Sequence, residues 1–230
     1  MKKIGKPLAL FAVALLLAAT CGCSLTLTAP KEQTAPATTA VVTVVGQEDD
    51  LIKLRSLFQN LFRNVSRADT TVVCDDPSVG VKLRAASSLT KNGQSLTYQA
   101  KVDRLNDPAS ADRFTTSETL APITGTPDQI RADYTGLFLW DRVATGLILA
   151  TPAFSQNDFD ARPIISLGDG ERTLSASVPD GKLESFFGLA LPDVSGMRVE
   201  VTYTEAAILS MQLTYTTGEA AMRVTVKYGY

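Results

Sequence analysis

Histidine is absent from the 230 residues of this chain. Its absence excludes Ser-His-Asp and Cys-His nucleophilic catalysis, histidine-ligated zinc and histidine-ligated haem. Basic residues are also in the minority, with 22 Lys and Arg against 24 Asp and Glu, so the chain lacks the excess of positive charge that nucleic-acid binding requires. Hydrophobic residues make up 45% and charged residues 20%, which is ordinary for a globular protein.

The sequence also lacks the motifs of nucleotide binding and nucleophilic catalysis, since no P-loop, G-x-G-x-x-G or G-x-S-x-G is present. Paired acidic residues are the remaining candidates for acid–base chemistry or calcium binding: Asp49/Asp50, Asp75/Asp76, Asp158/Asp160 and Asp169/Glu171. None lies in an EF-hand loop, and each is next to turn-forming residues or at the predicted start of a helix. We therefore interpret them as solvated turn or capping residues, and we predict no catalytic site, no metal site and no enzymatic activity.

The first residues of the chain have the pattern of an export signal. Lys2, Lys3 and Lys6 precede an uninterrupted apolar run over residues 8–19. A run of about 12 residues spans about 18 Å as a helix, which is shorter than the ~30 Å hydrocarbon core of a bilayer. The run therefore predicts a secretory signal peptide rather than a permanent transmembrane anchor.

Small residues lead directly from this run into two cysteines, in the sequence AATCGC over residues 18–23. This arrangement resembles the lipobox of bacterial lipoproteins, in which a cysteine receives diacylglycerol and becomes the first residue of the mature protein. The resemblance implies that Cys23 is lipidated, because Gly22 precedes it, and Cys21 is the alternative. It implies a signal peptide over residues 1–22 and an acyl lipid such as palmitate as the covalent modification, with no separate cofactor.

A lipidated cysteine implies an exported protein on the outer face of the bacterial cell membrane, or on a periplasm-facing membrane in a cell with two membranes. Loss of the three leader lysines leaves 19 basic against 24 acidic residues, a net charge of −5. Anionic headgroups do not attract such a surface, so we expect the lipid alone to provide membrane attachment.

A tether follows the cysteines. Residues 24–40 are rich in Thr and Ala, contain Pro30 and Pro36, and show no apolar periodicity, which is typical of an extended flexible segment. Val41–Val45 is a β-branched run that favours a short strand or a hydrophobic lead into a helix. The sequence predicts the tether over residues 23–45 and the folded domain over 46–230.

The domain begins with a predicted amphipathic helix over residues 47–67. Acidic residues stand at its start, where the helix dipole favours them. Apolar residues follow at helical spacing and form one stripe, which we expect to pack on the protein's own core: Leu51, Leu54, Phe58, Leu61, Phe62 and Val65. Arg55 and Arg63 lie off the stripe, and their replacement is expected to change stability by no more than about 0.5 kcal/mol.

Alternating apolar residues predict antiparallel strands over much of the remaining chain. Val79–Leu89 and Ser95–Leu105 flank an Asn-Gly pair, the strongest short-range hairpin signal. Three runs near the C-terminus, Met197–Thr204, Ile208–Thr216 and Met222–Tyr228, predict a meander with one buried face.

The middle of the chain has further predicted features. Tyr134–Trp140 and Gly146–Thr151 have the composition of strands that are apolar on both faces, and Gly168–Gly170 predicts a turn before a strand at Arg172–Val178. The only tryptophan, Trp140, is expected in the core or at its rim. Four phenylalanines lie near predicted loops: Phe154, Phe159, Phe186 and Phe187.

Cys74 is the third cysteine of the chain. Its neighbours Asp75 and Asp76 are anionic, and they disfavour the thiolate that a reactive cysteine requires. We therefore predict that Cys74 is a small buried apolar residue.

The order of these elements, a long amphipathic helix and an antiparallel meander on an exported chain, resembles the LolA-like fold. Lipoprotein-localisation factors and several families of bacterial surface lipoproteins share this fold. The most similar piece runs from Val199–Tyr203 through Val226–Tyr228, three adjacent strands with Tyr-Thr ends, and the resemblance covers residues 46–230. It implies a mainly β, α+β domain: an antiparallel incomplete β-barrel with a long helix on its concave face.

Two function classes follow. The first is a non-catalytic cell-envelope lipoprotein that binds an apolar or lipid ligand in the half-barrel. The alternative is a structural or assembly lipoprotein that contacts another envelope protein. The expected partners are the membrane, through the lipid anchor, with a hydrophobic ligand or an envelope protein, and not nucleic acid. The sequence does not indicate which residues would bind the ligand.

Overall fold

A computed structural model describes most of the domain: residues 42–78, 80–104, 116–119, 121–126, 129–130, 154–188, 190–191 and 193–230. The leader, Cys21, Cys23 and the tether before residue 42 lie outside these residues. The strands predicted at Tyr134–Trp140 and Gly146–Thr151, with Trp140, lie outside them as well.

Eleven strands, two α-helices and two 3₁₀ turns occur in the described residues. In chain order they are β1 (Val42–Val45), α1 (Glu48–Asn64), β2 (Arg67–Asp76), β3 (Gly80–Asn92), β4 (Ser95–Arg104), β5 (Thr116–Thr119), β6 (Ile123–Gly125), a 3₁₀ turn (Gln156–Asp158), β7 (Ile164–Gly168), β8 (Glu171–Ser177), a 3₁₀ turn (Asp180–Lys182), α2 (Leu183–Phe187), β9 (Val194–Tyr203), β10 (Ile208–Thr217) and β11 (Ala220–Gly229). Neither described helix combines the length and the apolarity that crossing a membrane would demand.

All strands belong to one antiparallel sheet with the order β1-β7-β8-β9-β10-β11-β2-β3-β4-β5, and β6 also pairs with β4. The end strands β1 and β5 do not pair with each other in the described part of the chain, so the sheet does not close. Sheets of more than about ten strands curl rather than stay flat, and curling encloses one face. The predicted fold class, a mainly β incomplete barrel with one long helix packed on it, is confirmed.

The predicted hairpin and meander are both present. Gly93 closes the turn between β3 and β4 with φ of +61°, a conformation that favours glycine. In β9, β10 and β11, alternate side chains are buried and their neighbours are exposed or half-buried. The predicted turn at Gly168–Gly170 joins β7 and β8, with Asp169 and Gly170 at φ of +51° and +78°.

Helix α1 begins as predicted and ends earlier than predicted. The Gln47 backbone N–H donates a hydrogen bond to Asp50 Oδ2 at 2.9 Å, which caps the first turn. The last helical residue is Asn64 rather than residue 67, because Val65 is already extended. The Lys91 ammonium donates to the carbonyls of Phe62 and Arg63 at 2.5 and 2.9 Å and stabilises this end of the helix.

The sequence analysis missed strand β2, which joins the two halves of the sheet. β2 lies between β11 and β3 and therefore connects the meander to the hairpin. Its signal was present, since Ala68, Thr70, Val72 and Cys74 alternate along it and are buried. The burial predicted for Cys74 is confirmed. The short strands β5, β6 and β7 were not predicted either.

Strand β1 corrects the predicted boundary between tether and domain. Val42 to Val45 pair with residues 167 to 164 of β7, so the sheet includes residues that the sequence analysis assigned to the end of the tether. The described folded part therefore begins at Val42 rather than at residue 46. The β-branched composition allowed this strand, but its partner β7 lies more than a hundred residues further along the chain.

Candidate functional site

The candidate site is the buried face of the sheet, which α1 covers. Leu51, Leu54, Phe58 and Leu61 of the predicted stripe are buried against it. The two ends of α1 are held by different strands. At the N-terminal end, Asp50 forms an ion pair with Arg172 of β8 at 3.3 Å, and the C-terminal end is held by Lys91 of β3. The helix therefore crosses the sheet from β8 to β3.

Five phenylalanines from α1, α2 and the segment before β7 form an aromatic cluster: Phe58, Phe154, Phe159, Phe186 and Phe187. Phe58 stacks on Phe154 with ring centroids 4.8 Å apart, and Phe154 meets Phe186 edge to face at 5.0 Å. All five rings are buried, and such aromatic pairs stabilise packing beyond the area that they bury. Phe62 is only half-buried, so the two helix phenylalanines are not equivalent as the stripe implied.

Arg55 makes a contact that the sequence analysis missed. Its guanidinium donates a hydrogen bond to the Phe154 carbonyl oxygen at 2.6 Å and links α1 to the aromatic cluster. This contact gives a physical reason to expect a larger effect of replacing Arg55 than the limit of about 0.5 kcal/mol inferred from the helical pattern. Helical periodicity placed it off the apolar stripe, and a backbone acceptor 99 residues away leaves no trace in that pattern.

Replacing Arg55 with alanine is expected to lower the free energy of unfolding by about 1.5 kcal/mol, because the Phe154 carbonyl loses a charge-assisted hydrogen bond. Arg63→Ala is the matched control. Arg63 is exposed on the same helix, and its loss should change stability by no more than about 0.5 kcal/mol. Urea unfolding of both variants measures the difference. Equal midpoints would show that the bond to Phe154 does not stabilise the domain.

The buried face includes the side chains of two tyrosines, Tyr203 and Tyr228. Tyr228 of β11 is 8% exposed, and its hydroxyl makes no hydrogen bond to any residue that the structure describes. Burial raises the pKa of Tyr228 far above its ordinary value, so the phenol stays protonated. Burial also raises the pKa of Tyr203, and the negative charge of Asp50 adds to the effect.

The charged residues of the described part stay outside this interior. Thr70 and Ser87 are the polar residues found buried there, and no charged residue is buried among those described. Hydroxyls can be satisfied in an apolar interior, whereas an unpaired charge cannot. The interior therefore suits the apolar part of a ligand, and a charged group would have to stay at its edge.

Three of the acidic residues cap a helix or a turn, as their sequence context predicted. Asp50 caps α1, Asp76 Oδ1 accepts a hydrogen bond from the Ser78 N–H at 2.9 Å, and Asp158 Oδ2 accepts one from the Ser155 N–H at 2.7 Å. Within the described ranges, no three acidic or cysteine side chains come together in a way that would hold a metal ion.

A cavity of about 620 Å³ lies between α2 and the start of β9. Its floor contains the buried side chains of Leu183 and Leu191, and exposed carboxylates of Asp180, Glu184 and Asp193 line it as well. The volume is within the range of small-molecule sites. Three carboxylates nevertheless repel an anionic group, so this cavity is unsuited to the headgroup of an acidic lipid.

Comparison with known proteins shows only a distant similarity in the path of the backbone. No family model matches the sequence, and no curated protein is significantly similar to it. Among solved structures, lipoprotein LppX from Mycobacterium tuberculosis matches with a TM-score of 0.37 and 9% identity over 79% of this chain and 96% of its own. LprF from Mycobacterium bovis matches with a TM-score of 0.40 and 9% identity over 81% and 95%. Kievitone hydratase from Nectria haematococca, an enzyme by name, matches with a TM-score of 0.26 and 6% identity over 72% and 48%. Likeness at this level transfers no function.

Proposed function

We propose that this protein is a cell-envelope lipoprotein, anchored through diacylglycerol on Cys23, whose domain binds an apolar or lipid ligand without catalysis. The anchor is supported by the leader, in which three lysines, an apolar run too short to span a bilayer and small residues lead to the cysteines. Cys21 is the alternative site of lipidation. The anchor places the domain outside the cytoplasmic membrane.

The composition of the buried face carries the proposal of an apolar ligand. The strands there present apolar side chains to the interior, and the described interior holds no charged residue. Because the sheet does not close, an acyl chain can reach this face without unfolding the strands. The charged part of such a ligand would stay at the edge of the interior.

The Tyr228 hydroxyl gives the ligand a polar group to contact. A buried hydroxyl without a partner costs about 1–3 kcal/mol, and a ligand ester or carboxyl oxygen that accepts a hydrogen bond from it would recover part of that cost. An apolar chain with one polar end, as in a fatty acid or an acyl ester, is the ligand class that uses both features.

The test is the noncovalent lipid that accompanies the purified full-length protein. We expect organic extraction followed by mass spectrometry to release an acyl lipid, whereas the anchor stays covalently attached to the polypeptide. In Tyr228→Phe the amount retained should fall about fivefold, the equivalent of one hydrogen bond of about 1 kcal/mol, while the ligand-free protein keeps its stability.

Tyr230→Phe is the matched control. The Tyr230 hydroxyl is bonded to the backbone of Ile208, donating at 2.7 Å, so its removal should leave lipid retention unchanged. An extract without acyl lipid from the wild-type protein would argue against ligand binding and for the alternative, an interaction role in the envelope.

A further inference from the structure

Strand β1 is an apolar edge of the sheet. The exposed fractions of Val42, Val44 and Val45 are 53%, 41% and 52%, and that of Ile164 on the neighbouring β7 is 50%. The strand carries no charge and no proline, the residues with which proteins ordinarily protect an edge strand from pairing. Its composition, Val-Thr-Val-Val, instead favours pairing with a further strand.

The backbone of β1 has hydrogen-bonding groups on the side away from β7. The Gly46 N–H donates to the Pro163 carbonyl at 2.8 Å, so the groups of Gly46 point toward β7. In a β-strand, the backbone N–H and C=O groups of successive residues point to opposite sides. The groups of Val44 therefore also point toward β7, whereas the groups of Thr43 and Val45 point away from it. The Val45 carbonyl accepts a hydrogen bond from the Gln47 side chain at 3.1 Å. No described strand pairs with the outer edge of β1, toward which the backbone groups of Thr43 point.

We infer that β1 is a dimer interface, at which two copies of the chain pair as antiparallel strands about a two-fold axis at Thr43. In this register Thr43 exchanges two backbone hydrogen bonds with Thr43 of the partner subunit. Val42 then lies opposite Val44 of the partner subunit. Val42 and Val44 share a face with Ile165, which is buried, so pairing extends the buried face of the sheet across both copies.

A second copy suits this edge better than a lipid surface does. A bilayer can bury the valine side chains, but hydrocarbon offers no partner for the outward backbone groups of Thr43. A paired strand buries the valine side chains and also bonds the outward backbone groups. In this register the edge is self-complementary over three residues, Val42–Val44, which meet the same three residues of the second copy in reverse order.

The length of the tether is compatible with this arrangement, an argument that rests on the proposed anchor at Cys23. Eighteen residues, 24–41, separate Cys23 from Val42, and the flexible segment that their composition predicts would span about 25 Å on average. The two-fold pairing places the two Val42 residues within about 10 Å of each other, at spacings typical of paired strands. Both lipids can therefore insert in one bilayer, where confinement raises the local concentration of partners.

Disulfide formation by Thr43→Cys in the full-length lipoprotein tests the pairing. A hydrogen-bonded antiparallel pair has Cα atoms about 5.5 Å apart, within the range that a disulfide bridges. We expect mild oxidation of membranes to convert this variant to a covalent dimer. Thr71→Cys, exposed on the interior strand β2, and the wild-type protein are controls that should stay monomeric on non-reducing gels.

A charge on the edge should abolish the dimer without harming the fold. In the Thr43→Cys background, Val44→Lys should lower the cross-linked fraction at least about tenfold, because lysine protects edge strands from pairing. Ile52→Lys is the matched control, since Ile52 is 51% exposed on α1 and belongs to no strand, and it should leave cross-linking unchanged. Thr43→Pro removes only an outward N–H, so it should yield a monomer in detergent with an unchanged melting temperature.

Several results would overturn the inference. One is a membrane-bound Thr43→Cys protein that does not cross-link, and another is cross-linking that persists in the presence of Val44→Lys. A third is quenching, by quenchers attached to lipids, of a fluorophore on the introduced thiol, which would assign the edge to the bilayer. Protection of the thiol in a monomer would assign the edge to another segment of the same chain. Cross-linking in detergent by protein that is absent from the membrane fraction would support the dimer and contradict the proposed anchor instead.

Discussion

Replacing Phe58 with alanine is expected to lower the free energy of unfolding by about 3–5 kcal/mol. The ring is 3% exposed and stacks on Phe154 with centroids 4.8 Å apart, so its loss removes buried apolar area and leaves a cavity inside the aromatic cluster. For a domain of this size, 1 kcal/mol corresponds to about 2–4 °C, so the melting temperature should fall by about 6–20 °C. Thermal and urea unfolding provide the measurement.

Phe62→Ala is the control on the same helix. Phe62 is half-buried and contacts the Lys91 ammonium, which lies 5.1 Å from its ring centroid, so its truncation should cost about 1 kcal/mol. An unchanged midpoint for Phe58→Ala would mean that α1 does not form part of the core. Its apolar stripe would then be a surface for a partner, in line with the alternative role in envelope assembly.

Replacing Cys23 with serine is expected to abolish membrane attachment. Each buried CH₂ of an acyl chain contributes about 0.8 kcal/mol to membrane binding, and stable anchoring by lipidation requires more than one chain. The domain offers no electrostatic substitute, since the chain without its leader has a net charge of −5, from 19 basic and 24 acidic residues. The variant should therefore shift from the membrane fraction to the medium or periplasm, or accumulate as uncleaved precursor.

Cys21→Ser is the matched control and should still be labelled by fatty acid, cleaved and retained in the membrane. Metabolic labelling together with membrane fractionation of both single variants and of the double variant measures this. Fatty-acid labelling of Cys23→Ser, together with its loss in Cys21→Ser, would assign lipidation to Cys21. Membrane retention of the double variant in a form that has lost its leader would contradict the lipoprotein proposal itself.

If lipidation and ligand retention are both observed, the domain combines a membrane anchor with an apolar interior held apart from it by a tether. The dimer inferred at β1 would then bring two such interiors side by side at the membrane. The aromatic cluster and Arg55 connect α1 to the segment around Phe154.

Local chemistry in the sequence determined the elements whose signals lie within a few neighbouring residues. The Asn92-Gly93 pair identified the β3–β4 hairpin, because a tight turn with positive φ requires such residues. Period-two alternation identified β9, β10 and β11, and the stripe of Leu51, Leu54 and Phe58 identified α1. The proposed export signal likewise rests on a local pattern, in which charge is followed by a short apolar run.

Only the tertiary structure decided how these elements are arranged. Strand order depends on contacts between distant residues, so the position of β2 between β11 and β3, and the pairing of β1 with β7, have no local signal. The same reason explains Arg55, whose acceptor is a backbone carbonyl, and the difference between Phe58 and Phe62, which share one helical stripe. Periodicity states which face of an element is apolar. Folding decides which other element, if any, packs on that face or pairs with the outer edge of a strand.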